Sequence, residues 1–288
     1  MTTTSWPYRW DLLLRYRLIE IVALWEGRLT TNHLITAFGI GRQQASKDIN
    51  FYAREIAPLN LEYDQQLKGY KPTADFHPQL TSGTADEYLH LLNRNRDLNS
   101  TFETLNINTA HMEVLSVPSR AIEPEVLRTI IYAARKQQRL EVDYVSVSDP
   151  NREGRIITPH TLVYNGMRWH VRAWCEKHGD YRDFVLSRFR GTPETLSASK
   201  HGVESDSDWN RRVTIKIRPD TRLSPEQRKV VARDYGMQRN LLTLETRAAL
   251  VQYALKLMQL DPASIDSDPR AQQIIISNLA ELKPYLFG

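Results

Sequence analysis

The sequence predicts an α+β protein of several domains, and three features carry that expectation. A pair of glycines and a donor-rich helix stand near the front, just ahead of a hairpin signal. Between residues 138 and 190 the hydrophobic period changes from helical spacing to two, the mark of half-buried strands. Beyond residue 208 strand and helix patterns alternate. The expected layout is a helical unit with a hairpin over 1–98, a linker over 99–122, a helix-led β unit over 123–207 and an α/β unit over 208–288.

The front opens with WDLLLRYRLIEIVALWEG, apolar, helical in propensity and stopped by Gly27. Thr30 or Thr31 caps a short second helix, TNHLITAF, which Gly39 ends in a left-handed turn. Gly41 stands at the N-cap of a third helix with two dissimilar faces. Ala45, Ile49, Tyr52 and Ile56 form its buried stripe, while Gln43, Ser46, Lys47, Asn50 and Arg54 lie on another face. After Pro58, LNLEYDQQLKGYKP reads as a hairpin turning at Lys68-Gly69. Three helices and a hairpin in this order make a winged helix-turn-helix, from which TADEYLHLLNRNRDL leads out as a further helix.

Residues 99–122 have weak periodicity. Pro124, a good first helical residue, opens PEVLRTIIYAARKQQR. The strands follow: RLEVDYVSV, then RIITPHTLVY interrupted by Pro159. Asn165-Gly166 turns into MRWHVRAWC, and His178-Gly179-Asp180 turns into YRDFVLSRF. A helix with four or five short antiparallel strands suggests a small, partly open β-barrel. The last unit reads as strand RRVTIKIRP, helix SPEQRKVVARDYG, a long amphipathic helix LETRAALVQYALKLMQL and a final helix within PRAQQIIISNLAELKPYL.

Composition narrows the function. The chain has 288 residues, 41% hydrophobic and 25% charged, enough to bury more than one core. Its opening lacks the apolar core of a signal peptide, and no run is long enough to span a membrane. The single cysteine, Cys175, excludes an intramolecular disulfide and a cysteine-rich zinc site, and fits a cytoplasmic location. The histidines follow no H-x-x-x-H or H-x-E spacing, so no metal site is expected. No phosphate-binding glycine loop occurs, and no nucleophile elbow surrounds Ser187 beside His160 and Asp183. No catalytic residue and no cofactor are expected.

The net charge of +4 permits a polyanionic partner, and its distribution says more. Residues 1–98 balance 11 bases against 11 acids, whereas residues 152–190 hold eight bases and four acids. A DNA-binding front must therefore work through a local patch. Its candidates are Arg42, Gln43, Gln44, Ser46, Lys47 and Asn50 on the third helix, with Lys68 and Tyr70 on the hairpin. A glutamine pairs with adenine through two hydrogen bonds and a basic side chain with guanine, while hairpin residues suit phosphates. The bland alternative is a solvated face on a small helical domain. In the middle unit, Tyr144 and Ser146 fall on one strand face, as do Arg182 and Arg188 on another strand. Arginine forks and aromatic plates suit a phosphate or nucleobase, although arginines also serve simply to solvate a surface.

The run GIGRQQASKDI resembles the recognition segment of regulators with a DeoR-like winged helix, G-[VI]-S-x-R-T-[IV]-x-R-D-[IL]. Gly39, Ile40, Asp48 and Ile49 match; Gly41, Gln43, Gln44 and Ala45 depart. The middle region resembles a WYL domain through Tyr144, Pro159-His160, Gly166-Met167-Arg168-Trp169 and the run from Arg182 to Arg188. The naming triplet is replaced by Trp169-His170-Val171. The domain order over nearly the whole chain is similar to the CapW and BrxR type regulators linked to bacterial anti-phage operons.

That resemblance implies an Sm/SH3-like barrel in the middle and a C-terminal α/β dimerisation domain. It implies a homodimeric repressor that binds an inverted repeat in double-stranded DNA and answers to a signal. Tyr144, Ser146, Arg155, His160, Trp169, Arg182 and Arg188 would line the sensing site, for an anionic effector such as a nucleotide or single-stranded nucleic acid. Two rival readings differ in class. One is an enzyme acting on nucleotides or nucleic acid, which the lack of a carboxylate cluster for metal-assisted phosphoryl chemistry disfavours. The other is an adaptor whose winged helix contacts protein.

Overall fold

A computed structural model describes residues 8–89, 115, 117–147, 150 and 153–286. The chain divides into two units, residues 1–116 and 117–288. Most of the expected linker, the continuation of the exit helix beyond residue 89, and Arg152 lie outside the described residues.

The first unit follows the expected order: α1 (Trp10–Glu26), α2 (Thr31–Phe38), α3 (Arg42–Phe51), β1 (Leu61–Asp64) and β2 (Gly69–Pro72). A fourth helix, α4, is described over residues 85–89. Gly27 and Gly39 end α1 and α2 in left-handed geometry, at φ 69° and 63°. In the first turn of α2 the Thr30 backbone N–H donates to the His33 ring nitrogen at 3.0 Å. Ala45, Ile49 and Tyr52 are buried as the stripe requires, against Tyr16, Ile19, Val22, Leu29 and Leu34. Helix α3 runs on as a wider π turn over Tyr52–Ile56, which keeps Ile56 against the same core.

The hairpin turn is longer than expected. Residues 65–68 form it, with Asp64 Oδ1 accepting the Gln66 and Leu67 N–H groups, and Gly69 already belongs to β2. Leu29 and Tyr70 exchange backbone hydrogen bonds of 2.7 and 2.8 Å, an isolated bridge that ties the segment before α2 to the hairpin. This close approach explains Gly69, where a Cβ would sit 2.8 Å from the Leu29 carbonyl oxygen. Beneath α1, the buried Glu20 carboxylate accepts from the Tyr52 hydroxyl at 3.0 Å and from the N–H groups of Gln79, Leu80 and Thr81 at 2.9–3.0 Å.

The second unit opens with α5 (Pro124–Lys136), with proline as its first helical residue as expected. Strands β3 (Gln138–Tyr144), β4 (Glu153–Tyr164), β5 (Trp169–Cys175), β6 (Asp180–Val185) and β7 (Phe189–Ala198) form an antiparallel sheet in the order β6-β5-β4-β3-β7. Val126, Ile130 and Ala133 of α5 pack with Leu140, Val142, Ile157, Val171, Ala173 and Phe184 into one core.

Three strand expectations are corrected. Strand β3 ends at Tyr144, so Ser146 shares no strand face with it. Pro159 does not interrupt β4; the register shifts between Pro159 and Thr161, so the irregularity is a bulge at His160. The expected strand through Arg182 and Arg188 breaks after Val185, because Phe184, Val185 and Leu186 are buried in succession and cannot alternate. Leu186–Arg188 is a 3-10 turn, and Arg188 therefore leaves the strand that carries Arg182.

The C-terminal part is α/β. After α6 (Ser207–Asn210) come β8 (Arg212–Pro219), α7 (Pro225–Asp234), β9 (Leu242–Arg247), α8 (Val251–Leu257), β10 (Ile274–Ile276) and α9 (Leu279–Leu282). The sheet order is β10-β8-β9. Leu244–Arg247, expected as helix, is strand, because β8 offers a pairing partner from Arg212 to Ile217. A final helix does lie within residues 269–286, at Leu279–Leu282, but the isoleucine run ahead of it pairs with the other edge of β8. β-branched residues favour that extended state. Among the described residues no helix is long and apolar enough to cross a membrane.

Candidate nucleic-acid interface

On α3, Arg42, Gln43, Gln44, Lys47 and Asn50 are exposed and Ser46 is half-buried. Glycine at the N-cap leaves the helix start uncluttered, so these N-terminal turns can approach a groove. Asn50 connects helix to hairpin: the Tyr70 hydroxyl donates to its Oδ1 at 3.2 Å. Lys68 is exposed at the hairpin turn and adopts φ 48°, so its cation and Tyr70 stand on the same wing. All eight sequence-predicted DNA contacts thus fall on α3 or the hairpin.

Gln44 is not a free side chain. Its Nε2 donates to Asp48 Oδ1 at 2.7 Å. Asp48 is 3% exposed, and Arg15 Nη1 lies 2.9 Å from its other oxygen, an ion pair without the angle of a directed hydrogen bond. Arg15 is also held by Asp11, with Nη2 to Oδ2 at 3.1 Å. Sequence reading matched Asp48 to a motif but missed this role and missed Arg15, since their pairing joins two helices 33 positions apart.

In the second unit the residues implied for effector binding divide. Residues opposite each other on neighbouring strands share a face. Arg155 opposite Val142 and Arg182 opposite Ala173 therefore lie on the face that carries the core. Arg155 sits 5.8 Å from the Tyr144 ring centroid. Tyr144 itself is buried between Phe184 and Phe189, and its hydroxyl accepts the Val185 N–H at 3.0 Å. The Val145 N–H donates to the Arg188 carbonyl, bringing the segment that holds Ser146 beside the 3-10 turn. Burial, then Arg182, Arg155 and Lys177, lower the pKa of nearby His178. Trp169 is 48% exposed at the far hairpin, in contact with Tyr164 at 5.1 Å.

His160 faces elsewhere. Its Nε2 lies 3.1 Å from Asp206 Oδ2 and its ring contacts Tyr181 and Trp209. Asp206 also takes a fork from Arg172, at 2.6 and 3.1 Å, and caps α6 through the Trp209 N–H at 3.0 Å. Across the strands, Arg172 Nη1 is 3.5 Å from Asp183, which accepts from the Tyr253 hydroxyl at 2.9 Å. The buried His170 ring stacks on Tyr253 at 4.7 Å. Burial alone would raise the Asp206 pKa, but hydrogen bonds from His160 and Arg172 and the Trp209 N–H hold it far below the carboxylate range. Burial would lower Arg172, yet its bonds to Asp206 and the field of Asp183 raise it. This network, with Arg172, Asp183, Asp206 and Tyr253, had no sequence signal, since its members lie far apart in the chain.

Residues 11–94 match the BrxR transcriptional regulator winged helix-turn-helix domain, 125–192 the WYL domain, and 212–282 the BrxR transcriptional regulator C-terminal dimerization domain. The DNA-binding transcriptional repressor CapW of Stenotrophomonas maltophilia is 33% identical over 96% of this chain and 93% of its own. CapW of Pseudomonas aeruginosa is 32% identical, covering 96% and 92%. The chain belongs to the CapW family of repressors. Membership makes it a transcriptional regulator and not an enzyme. CapW of Escherichia coli is equally related, at 33% identity over 95% of this chain and 91% of its own.

Proposed function

We propose that the protein is a ligand-responsive, sequence-specific repressor that binds an inverted repeat as a homodimer, inserting α3 into the major groove. The observation that carries the reading is the exposed row Arg42, Gln43, Gln44 and Lys47, set beside the hairpin in a member of the CapW family. The match of residues 212–282 to a dimerization domain supports the homodimer, and two copies of α3 suit a palindromic site. The likeness to CapW and BrxR regulators supports control of its own anti-phage operon in the cytoplasm. Strand order β6-β5-β4-β3-β7 with a 3-10 turn before β7 supports an Sm/SH3-like barrel in the middle unit. For the effector, Arg155 and Arg182 on one face, with Tyr144, Ser146 and Arg188 adjoining, favour an anion such as a nucleotide or single-stranded nucleic acid. His160 and Trp169 fall outside that group.

The test is footprinting on the DNA upstream of the protein's own gene, with salt titration. Lys68→Ala should weaken cognate and scrambled duplexes alike and reduce the salt slope by about one. Gln43→Ala should cost about 1–3 kcal/mol on the cognate site and little on scrambled DNA. Absence of a salt-dependent footprint would overturn the reading. Arg182→Ala should keep operator binding but abolish its response to the inducing condition.

A further inference from the structure

We propose that Asp48 and Arg15 are positioning residues for base reading, holding the Gln44 carboxamide in the orientation that selects adenine over guanine. This inference rests on α3 being the base-reading helix. Gln44 and Asp48 are one turn apart on α3, and the amide nitrogen meets Asp48 Oδ1 at 2.7 Å. Arg15 lies 2.9 Å from the other carboxylate oxygen and is itself bonded to Asp11, so its charge favours this setting of Asp48.

The chemistry of the pair fixes the amide. A carboxylate accepts and cannot donate. Reversing the Gln44 amide would set its oxygen against a buried anion, so the nitrogen must face Asp48. One N–H of Gln44 is thereby engaged, and one N–H and the carbonyl oxygen remain for DNA. Adenine offers an N7 acceptor and an N6 donor, which one N–H and one oxygen satisfy. Guanine offers two acceptors, N7 and O6, and would meet the Gln44 oxygen with repulsion. The helix therefore presents a pre-set edge whose orienting cost is already met within the fold.

Replacing the anion with its neutral isostere should invert the choice. In Asp48→Asn, Arg15 retains the amide oxygen, so the Asn nitrogen turns toward Gln44. Gln44 must then reverse, and both its N–H groups become available for guanine. The experiment selects sites from randomised duplexes with the full chain, comparing the parent with Gln44→Ala, Asp48→Asn, Arg15→Met and the double variant Gln44→Ala/Asp48→Asn. The parent should favour adenine over guanine at one position by about tenfold or more. Asp48→Asn should shift that position towards guanine, Arg15→Met should flatten it, and the double variant should match Gln44→Ala alone.

An unchanged adenine preference in Asp48→Asn, or an equal loss on all duplexes, would overturn the proposal. So would an Asp48→Asn effect that persists without Gln44. A parent that selects no sequence removes the base-reading function itself; a selective parent unaffected by Gln44→Ala removes only the present inference. The side-chain amide resonances of Gln44 decide the matter independently of any folding defect in the variants. One N–H shifted and protected from exchange is expected in the free parent, and two freely exchanging protons would refute the clamp.

Discussion

Glu20 in the first unit and Asp206 in the second are both buried carboxylates, yet they are satisfied by different partners. Glu20 takes neutral donors: a tyrosine hydroxyl and the backbone N–H groups of residues 79–81. Asp206 takes the Arg172 guanidinium and the His160 ring. Neutral donors leave Glu20 without a cation, and Arg42, Lys47 and Lys68 stay exposed, while Arg15 is drawn in only where the buried Asp48 faces it. In the second unit an arginine from the middle of β5 is turned inward, 6% exposed, to meet an aspartate that caps α6. Positive charge in a sequence thus marks a contact surface only where no acid waits across the fold.

Breaking the two sites should separate them by size. Asp206→Ala leaves Arg172 buried against Asp183 alone, and losing one partner of a buried pair costs about 3–5 kcal/mol. Replacing both partners, Asp206→Leu with Arg172→Met, should recover most of that loss, since apolar packing needs no compensating charge. Urea unfolding of the second unit, followed by its tryptophans, measures both. If Asp206→Ala costs under about 1 kcal/mol, the network carries no more than a surface pair.

Glu20→Gln is the corresponding change in the first unit. It keeps the volume but turns one acceptor into a donor that faces backbone N–H groups. One or two buried donors lose their partner, at about 1–3 kcal/mol. The cost should appear as fraying of residues 77–81 in hydrogen exchange, with the second unit's transition unmoved. Equal protection in parent and variant would show that the carboxylate does not hold that segment.

The same contrast explains what the sequence disclosed. The first unit was legible because its elements are local: glycines at helix ends, a 3.6-residue stripe and a hairpin. The strands of the middle unit were legible from their period of two, except where three buried residues in succession forced a turn after Val185. Leu244–Arg247 was misread as helix, and the strand Ile274–Ile276 went unread, because the state of both is set by β8, a partner distant in the chain. The candidate contacts of α3 were legible as a donor-rich face, whereas the Gln44–Asp48–Arg15 chain was not. The effector residues were drawn as one site, and the bulge at His160 and the break before Arg188 redistribute them. A one-residue change of register is invisible to spacing alone.

The smallest expected effect concerns His170, which distinguishes the second unit's buried face by its pH response. The ring is 1% exposed, stacked on Tyr253, and burial is the leading cause that lowers its pKa; the field of Asp183 opposes that shift, and Arg168 and Arg172 add to it. A histidine lowered in the folded state binds its proton more readily when unfolded, where its pKa is about 6.5. Stability from its neutral form is therefore complete above about pH 6.5 and is lost as pH falls towards the folded value. Asp206, held low, keeps its contribution through this window and loses it only in stronger acid. Titrations from about pH 7.5 to 5 should then show a gradual loss in the second unit. His170→Phe keeps an aromatic ring on Tyr253 and removes the titrating nitrogen, so it should flatten the slope. His178, also lowered, bounds the remainder, and His178→Gln measures it. If His170→Phe leaves the acid slope unchanged, the pH response comes from another group and the buried imidazole contributes only its packing.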